Sequence, residues 1–188
     1  DPGATIDFGC SGTITLTDAG GPTPIELHKS ITIDGTGQDV TISGADRVAL
    51  FFNSSLATFT LRSLTLADGK ARDLSGMSRG GAVWNFATLV ADDVDFVSNT
   101  ATDSGGAIYS QGSAAALSVT NSRFTGNSVE CGFFCSAGGG GAIGLLSKNE
   151  STITSSTFED NEVTGRGNGG AILARRTFSE SGGGDVTI

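Results

Sequence analysis

The best prospect for acid–base chemistry in this chain is the stretch Ala91-Asp92-Asp93-Val94-Asp95-Phe96, where Asp93 and Asp95 sit at alternate positions. On an extended strand, alternate side chains share a face about 7 Å apart. A carboxylate pair so placed suits glycoside hydrolysis or calcium-assisted cleavage of acidic polysaccharides, provided that further acids and a basic residue gather around it. Aligning the internal repeats of the chain sets Arg123 and Thr157 beside Asp95, and Asn121 and Ser155 beside Asp93. The acids do not accumulate. The expectation is a solvated face with one Asp95 to Arg123 ion pair, and no catalytic residue.

Other stretches suggest ligand chemistry and then fail a requirement of it. Gly35-Thr36-Gly37-Gln38-Asp39-Val40-Thr41-Ile42-Ser43 approximates a calcium-binding nonapeptide, but its apolar residue is displaced by one place, the leading Gly-Gly is absent and the stretch occurs once. The run Gly138 to Gly141 is followed by neither Lys-Ser/Thr nor a helix, so it reads as corner flexibility and not as a phosphate loop. The only His is His28, and no second cysteine pair exists to complete a four-ligand zinc site. No metal and no cofactor are expected. Asn53-Ser-Ser and Asn149-Glu-Ser fit the glycosylation acceptor pattern, which matters only where the source makes such linkages.

The elements that carry these residues follow from composition and periodicity. The 188 residues suffice for one domain with a real core, and 29 Gly against 3 Pro, with abundant Thr, Ser, Ile, Val and Asn, favours short strands joined by tight turns. Apolar residues fall at every second position in ATIDF, GTITLT, SITIDG, DVTISG, ATFTLRSLTLADG and ALSVTNSRF, the pattern of half-buried strands, and no helix is evident. The 11 basic and 20 acidic residues give a net charge of −9, which argues against a nucleic-acid or anionic-membrane partner. No stretch approaches the roughly 20 consecutive apolar residues of a membrane helix, and DPGATIDF lacks the parts of a signal peptide.

Two motifs alternate along the chain. Gly-Gly-Ala-Val/Ile occurs at 80–83, 105–108, 140–143 and 169–172, and Phe-x-x-Asn at 96–99, 124–127 and 158–161. Successive second glycines lie 25, 35 and 29 residues apart, with most of the excess in the middle interval due to the stretch SVECGFFCSAG. Repeats of this length read as solenoid coils with an edge insertion at 128–139. Stacked coils form columns of equivalent side chains, so the columns must be self-compatible. Phe96, Phe124 and Phe158, continued upstream by Leu66, are expected to form an inward core ladder, and Ala91, Val119 and Ile153 a second. Asn99, Asn127 and Asn161 are expected to form a corner ladder, satisfying one another's amides and tolerating a left-handed backbone. The fold class predicted is all-β, a single right-handed parallel β-helix of about seven or eight coils. It spans residues 1–188: opening coils over 1–79, repeat coils over 80–172, and the start of a further coil over 173–188.

The alternating GGA[IV] and FxxN motifs resemble the repeats of the polymorphic outer membrane protein family, right-handed parallel β-helices of bacterial surface and autotransported proteins. The resemblance covers about residues 80 to 172, and the stretches GCSGTITL and ITIDGTGQDVTISG look like opening coils of related secreted proteins. It implies an extracellular or cell-surface location and a structural or adhesive role, with a host or surface glycan or protein as the partner. The chain departs from the autotransporter pattern in having no membrane-barrel segment. An extracellular setting allows Cys131 and Cys135 to close a disulfide across the insertion, the alternative being two reduced thiols, while Cys10 is expected as a buried thiol in an early coil. A polysaccharide lyase or hydrolase and a glycan-binding module are the rival readings, the latter weakened by a single Trp, Trp84, and a single Tyr, Tyr109. Both ends read as uncapped, and Asp185 to Ile188 repeats the tetrapeptide Asp39 to Ile42. That fits a segment of a longer chain, or copies stacking head to tail into a filament.

Overall fold

The computed structural model describes residues 3–17, 24–54, 57–72, 78–132, 138–147, 149–175 and 186–187, and every regular element among them is a β-strand. The strands fall into three sheets in which each strand pairs in parallel with its equivalents in neighbouring repeats. The main path of the first sheet takes in Ala4–Asp7, Ile31–Asp34, Thr58–Ala67, Thr88–Val97, Ala116–Thr120, Ser151–Thr154 and Val186–Thr187. The second runs through Ile25–Leu27, Phe51–Asn53, Val83–Asn85, Ile108–Gly112, Ile143–Ser147 and Ile172–Ala174. The third, shorter sheet comprises Lys70–Ala71, Thr100–Ala101, Ser128–Cys131 and Glu162–Gly165. This is a right-handed parallel β-helix, the hand that parallel crossovers take. Seven passes along the first sheet and six along the second make five to six turns, fewer than the seven or eight expected.

The alternation that marks the strands hides a bend. In Thr58–Ala67 the buried apolar residues are Phe59, Leu61, Leu64, Leu66 and the terminal Ala67, so the two-residue step lengthens to three around Ser63, between Leu61 and Leu64. The same step recurs around Asp93 in Thr88–Val97. Ser63 and Asp93 have φ of 47° and 58°, and the equivalent Asn121 and Ser155 have 52° and 50°. One left-handed residue at the bend folds the first sheet around the core, with the ladder interrupted there and resumed in register beyond it, as from Asp92↔Arg62 to Val94↔Leu64, and small polar side chains tolerate that conformation best. Without the extra residue, every side chain beyond the bend would change faces.

Inside, the columns run the length of the solenoid. Ile14, Ile42, Leu66, Phe96, Phe124 and Phe158 are successive register partners, as are Ile33, Leu61, Ala91, Val119 and Ile153. The rings of Phe96 and Phe124 stack at 4.6 Å and 5° between planes, and those of Phe124 and Phe158 at 4.7 Å and 4°. Identical residues repeated at the strand spacing have no other arrangement open to them, and each stacked pair adds about 0.5–1.5 kcal/mol to simple burial. Cys10 does not join a column. Its thiol is free and exposed, because it lies in the bend between Ala4–Asp7 and Gly12–Thr15, on the first described turn, whose own strands are exposed throughout.

The Gly-Gly corner leads into the second sheet, and its two glycines have different reasons. Gly80 takes φ 63°, whereas Gly81 donates its N–H to the Gly106 carbonyl at 2.8 Å, and a Cβ on Gly81 would stand 2.5 Å from that same oxygen. The first glycine is a conformational requirement, the second a packing one. Gly81→Ala is therefore expected to lose about 2 kcal/mol or more of stability through forced separation of two turns. Gly9→Ala, where a Cβ meets nothing within 4 Å, serves as control and changes stability by less than about 1 kcal/mol. Thermal or urea unfolding of the two variants tests the difference.

Candidate functional site

Asn99, Asn127 and Asn161 form a directional amide ladder beside the Phe column. Asn99 Nδ2 donates to Asn127 Oδ1 at 3.0 Å and Asn127 Nδ2 to Asn161 Oδ1 at 2.9 Å, while the backbone N–H groups of Asn99 and Asn127 donate to the same two oxygens. Each amide also reaches back to a carbonyl one turn earlier: Asn99 to Leu66, Asn127 to Phe96 and Asn161 to Phe124, all at 2.9 Å. These groups hold a corner of the solenoid closed and have nothing to offer a substrate. The left-handed backbone of this corner is carried not by the asparagines but by the residue before each of them, Ser98, Gly126 and Asp160. That leaves the Asn side chain free to point inward.

A second polar ladder, between the second sheet and the strand that follows it, carried no repeat signal in the sequence. Asn53 Nδ2 donates to Asn85 Oδ1 at 2.9 Å, and Asn85 Nδ2 to Ser110 Oγ at 3.0 Å and to the Ala87 carbonyl at 2.8 Å. All three are fully buried, so the acceptor pattern at Asn53 offers no surface for glycosylation. Only the register of the folded chain shows this ladder, because Ser and Leu follow the two asparagines at the equivalent positions 110 and 145. At the third sheet Cys131 is disulfide-bonded and packs with Ala71, Ala101 and Val129; its predicted partner Cys135 lies outside the described residues.

The acidic pair lies where the first sheet bends. Asp93 and Asp95 are exposed and line one shallow groove with Asp39, which the sequence alignment had not placed beside them. Asp93 accepts a hydrogen bond from Ser63 Oγ at 2.8 Å. Arg123 is the register partner of Asp95 but does not pair with it. Its side chain leans along the strand, with Nε on Thr125 Oγ1 at 3.2 Å, and its Nη2 meets Glu159 Oε2 of the next turn at 2.7 Å. Among the described residues no three His, Cys, Asp or Glu side chains are grouped to hold a metal ion. The groove has no basic group among its lining residues to stabilise developing charge beside the carboxylates.

The outer face of the second sheet is different in kind. Glu26, Phe52, Trp84, Tyr109, Gly144 and Leu173 follow one another in register on it, and Phe86 stands beside Trp84. Phe52, Trp84 and Phe86 are half-buried, with ring centroids 5.3–5.7 Å apart. Tyr109 is buried, folded over the site where a Cβ on Gly144 would be, and the Arg79 guanidinium lies 5.0 Å from its ring centroid. Arg79 also forms a tight ion pair with Asp103, N to O 2.6 Å, and reaches Gln111 Oε1 at 3.4 Å. The Tyr109 hydroxyl and the Trp84 indole N–H are both buried without a hydrogen-bond partner. Burial pushes the Tyr109 hydroxyl above its ordinary value of 10.0, against the opposing pull of the Arg79 charge.

Residues 93–111 match the family model described as the Chlamydia polymorphic membrane protein repeat. The matched stretch begins in the bent strand of the first sheet and runs through the Asn99 corner and the Gly105-Gly106 corner into the second sheet, so it takes in most of one turn. No curated protein and no solved structure matches the chain. Together the repeat match and the stacked parallel sheets support a parallel β-helix similar to the polymorphic membrane protein repeats.

Two substitutions read these ladders. Asn127→Ala orphans buried groups on both neighbouring turns and is expected to cost about 2–4 kcal/mol. Tyr109→Phe removes a buried, unpartnered hydroxyl and is expected to leave stability at neutral pH unchanged or raised by up to about 1 kcal/mol. Above about pH 10 the unfolded tyrosine loses its proton while the folded one keeps it, so the wild type loses stability as pH rises through that range. The Phe variant lacks that loss, and urea midpoints from pH 8 to 11 compare the two.

Proposed function

We propose that the chain is a non-catalytic extracellular segment of a bacterial surface protein, a stiff solenoid that displays its edge insertions and one outer face for adhesion. The observation that carries this reading is the distribution of polar groups. The ladder asparagines are consumed in holding turns together, and the acids gathered in one groove, Asp39, Asp93 and Asp95, have no basic partner among the groove residues. A rod whose polar groups are spent on its own ladders suits presentation better than turnover. The repeat match supports a surface location, and the insertion at 128–139, tethered at disulfide-bonded Cys131, supports a contact edge.

Head-to-tail stacking of copies belongs to the same reading. On the first described turn Ile6, Ile14 and Ile25 are 44–45% exposed, although the columns they begin are buried one turn later at Ile33, Ile42 and Phe51. These exposed apolar residues favour the packing of a further turn at that end, which in this reading a second copy supplies. At the other end Val186–Thr187 pairs with Ser151–Thr152 in the first half of the first sheet, whereas the like-sequenced Val40–Ser43 lies in the half beyond the bend. The repeated tetrapeptide therefore marks a new pass but not the same column.

The reading is tested by incubating the protein with acidic and neutral polysaccharides, with and without calcium. Release of unsaturated or reducing ends that disappears in Asp93→Ala or Asp95→Ala overturns it; no release in any arm, with labelling of the protein on intact cells, is the expected result. Sedimentation over a hundredfold concentration range is expected to show concentration-dependent growth that Ile14→Lys abolishes, and a constant monomer mass rules out the stacking.

A further inference from the structure

We propose that the outer face of the second sheet is a binding strip for a neutral oligosaccharide lying parallel to the solenoid axis, with the rings of Phe52, Trp84 and Phe86 as its floor. This goes beyond the reading above by naming a face and a ligand class, and rests on it only in taking binding without cleavage.

The rings themselves make the first argument. In the core, Phe96, Phe124 and Phe158 lie 4–5° from parallel, and each uses its ring faces on its neighbours. On the outer face the planes are inclined by 52° between Phe52 and Trp84, 40° between Trp84 and Phe86, and 88° between Phe52 and Phe86. Tilted rings keep part of their electron-rich faces for something else, and all three remain half-buried, not covered. The C–H groups on one face of a pyranose carry partial positive charge and complement such ring faces. The chain has 11 Phe, but only 1 Trp and 1 Tyr, and it assembles both of the latter with two of the Phe on this one face.

Size decides between a sugar and a protein partner. The rings that keep exposure, Phe52, Trp84 and Phe86, occupy two neighbouring register rows, because Tyr109 and Gly144 further along the sheet are buried. At a strand spacing of about 4.8 Å and two columns in width, their area is on the order of 100 Å². One partner of a stable protein interface contributes about 800 Å². The strip is too small for that, but it fits one or two rings of an oligosaccharide. Charge narrows the class. Ionic groups stand at the ends and margin of the strip, with Glu26 paired to His28 at one end and Arg79 paired to Asp103 at the side, and the protein carries a net charge of −9, which disfavours uronic or sialylated chains. Gln111, half-buried beside the rings, supplies an amide for a sugar hydroxyl.

Trp84 makes the proposal directly measurable, because it is the only tryptophan and its fluorescence comes from the strip itself. The protein is titrated with cellotetraose, chitotetraose and lacto-N-tetraose, and with a tetragalacturonate as the acidic control. The expected result is a saturable change in Trp84 emission, with protection from acrylamide quenching, for at least one neutral tetrasaccharide and none for the acidic one. Phe52→Leu and Phe86→Leu keep apolar bulk but remove a ring face, and each is expected to weaken binding roughly two- to tenfold while the protein remains fully folded at the assay temperature, as its melting curve checks. Absence of saturable change with all three neutral probes overturns the proposal. So does binding that persists unaltered in the Phe52→Leu/Phe86→Leu double variant, or binding of the tetragalacturonate alone. Cleavage of a bound tetrasaccharide supports the strip and counts against the non-catalytic reading, so the two ideas fail separately.

Discussion

Parallel pairing between one turn and the next places each side chain against the residue that holds the same position in the following repeat, about 4.8 Å away. Everything else in this structure answers to that contact. An apolar residue satisfies it by stacking on its like, as Phe96, Phe124 and Phe158 do. A polar residue satisfies it only if it both donates and accepts along the same direction, which Asn achieves and a carboxylate does not. A charged column would repel itself, and where Asp95 meets Arg123 in register the guanidinium still finds its partner one turn further on, at Glu159.

The corners show how the same contact governs backbone conformation. The turn at Ser63, Asp93, Asn121 and Ser155 recurs with φ of 47–58°, and that before the Asn ladder recurs at Ser98, Gly126 and Asp160 with φ of 53–64°. A left-handed residue in one turn is matched by a left-handed residue above it, so the register is the same on both sides of the bend. At the Gly-Gly corner a second constraint applies, since a Cβ would enter the hydrogen bond between turns, as between Gly81 and Gly106. Insertions are tolerated at the edge where the third sheet gives way to that corner, because they leave the register on either side unchanged.

With the interior fully engaged in self-recognition, the outer faces are what remains for contact with other molecules. They are not equivalent. The first sheet presents mostly Thr, Ser and isolated charges, such as the Thr152 to Ser118 and Thr154 to Thr120 pairs, and is a solvated surface. The second presents an aromatic strip with an ion pair at its side, apolar surface left half-exposed on an outer face.

Much of this was legible in the sequence because the solenoid turns long-range contacts into a period. The spacing of the glycine and phenylalanine motifs reveals which residues are stacked, and with it the all-β class, the parallel register and both the Phe and Asn columns, each read from a repeat of identical residues. The sequence could not show columns whose members differ. Asn53, Asn85 and Ser110 share no letter pattern, and Phe52, Trp84 and Tyr109 share only aromaticity, so both needed the register of the second sheet to bring them together. Nor could it place Cys10, whose exposure depends on what covers the first described turn, or Arg123, whose long, flexible side chain has a choice of neighbours. Identity at a fixed period determined what stacks on what; the direction taken by a flexible side chain, and the grouping of unlike residues on one face, were decided only by the packed tertiary structure, because those depend on distances across turns that no single period encodes.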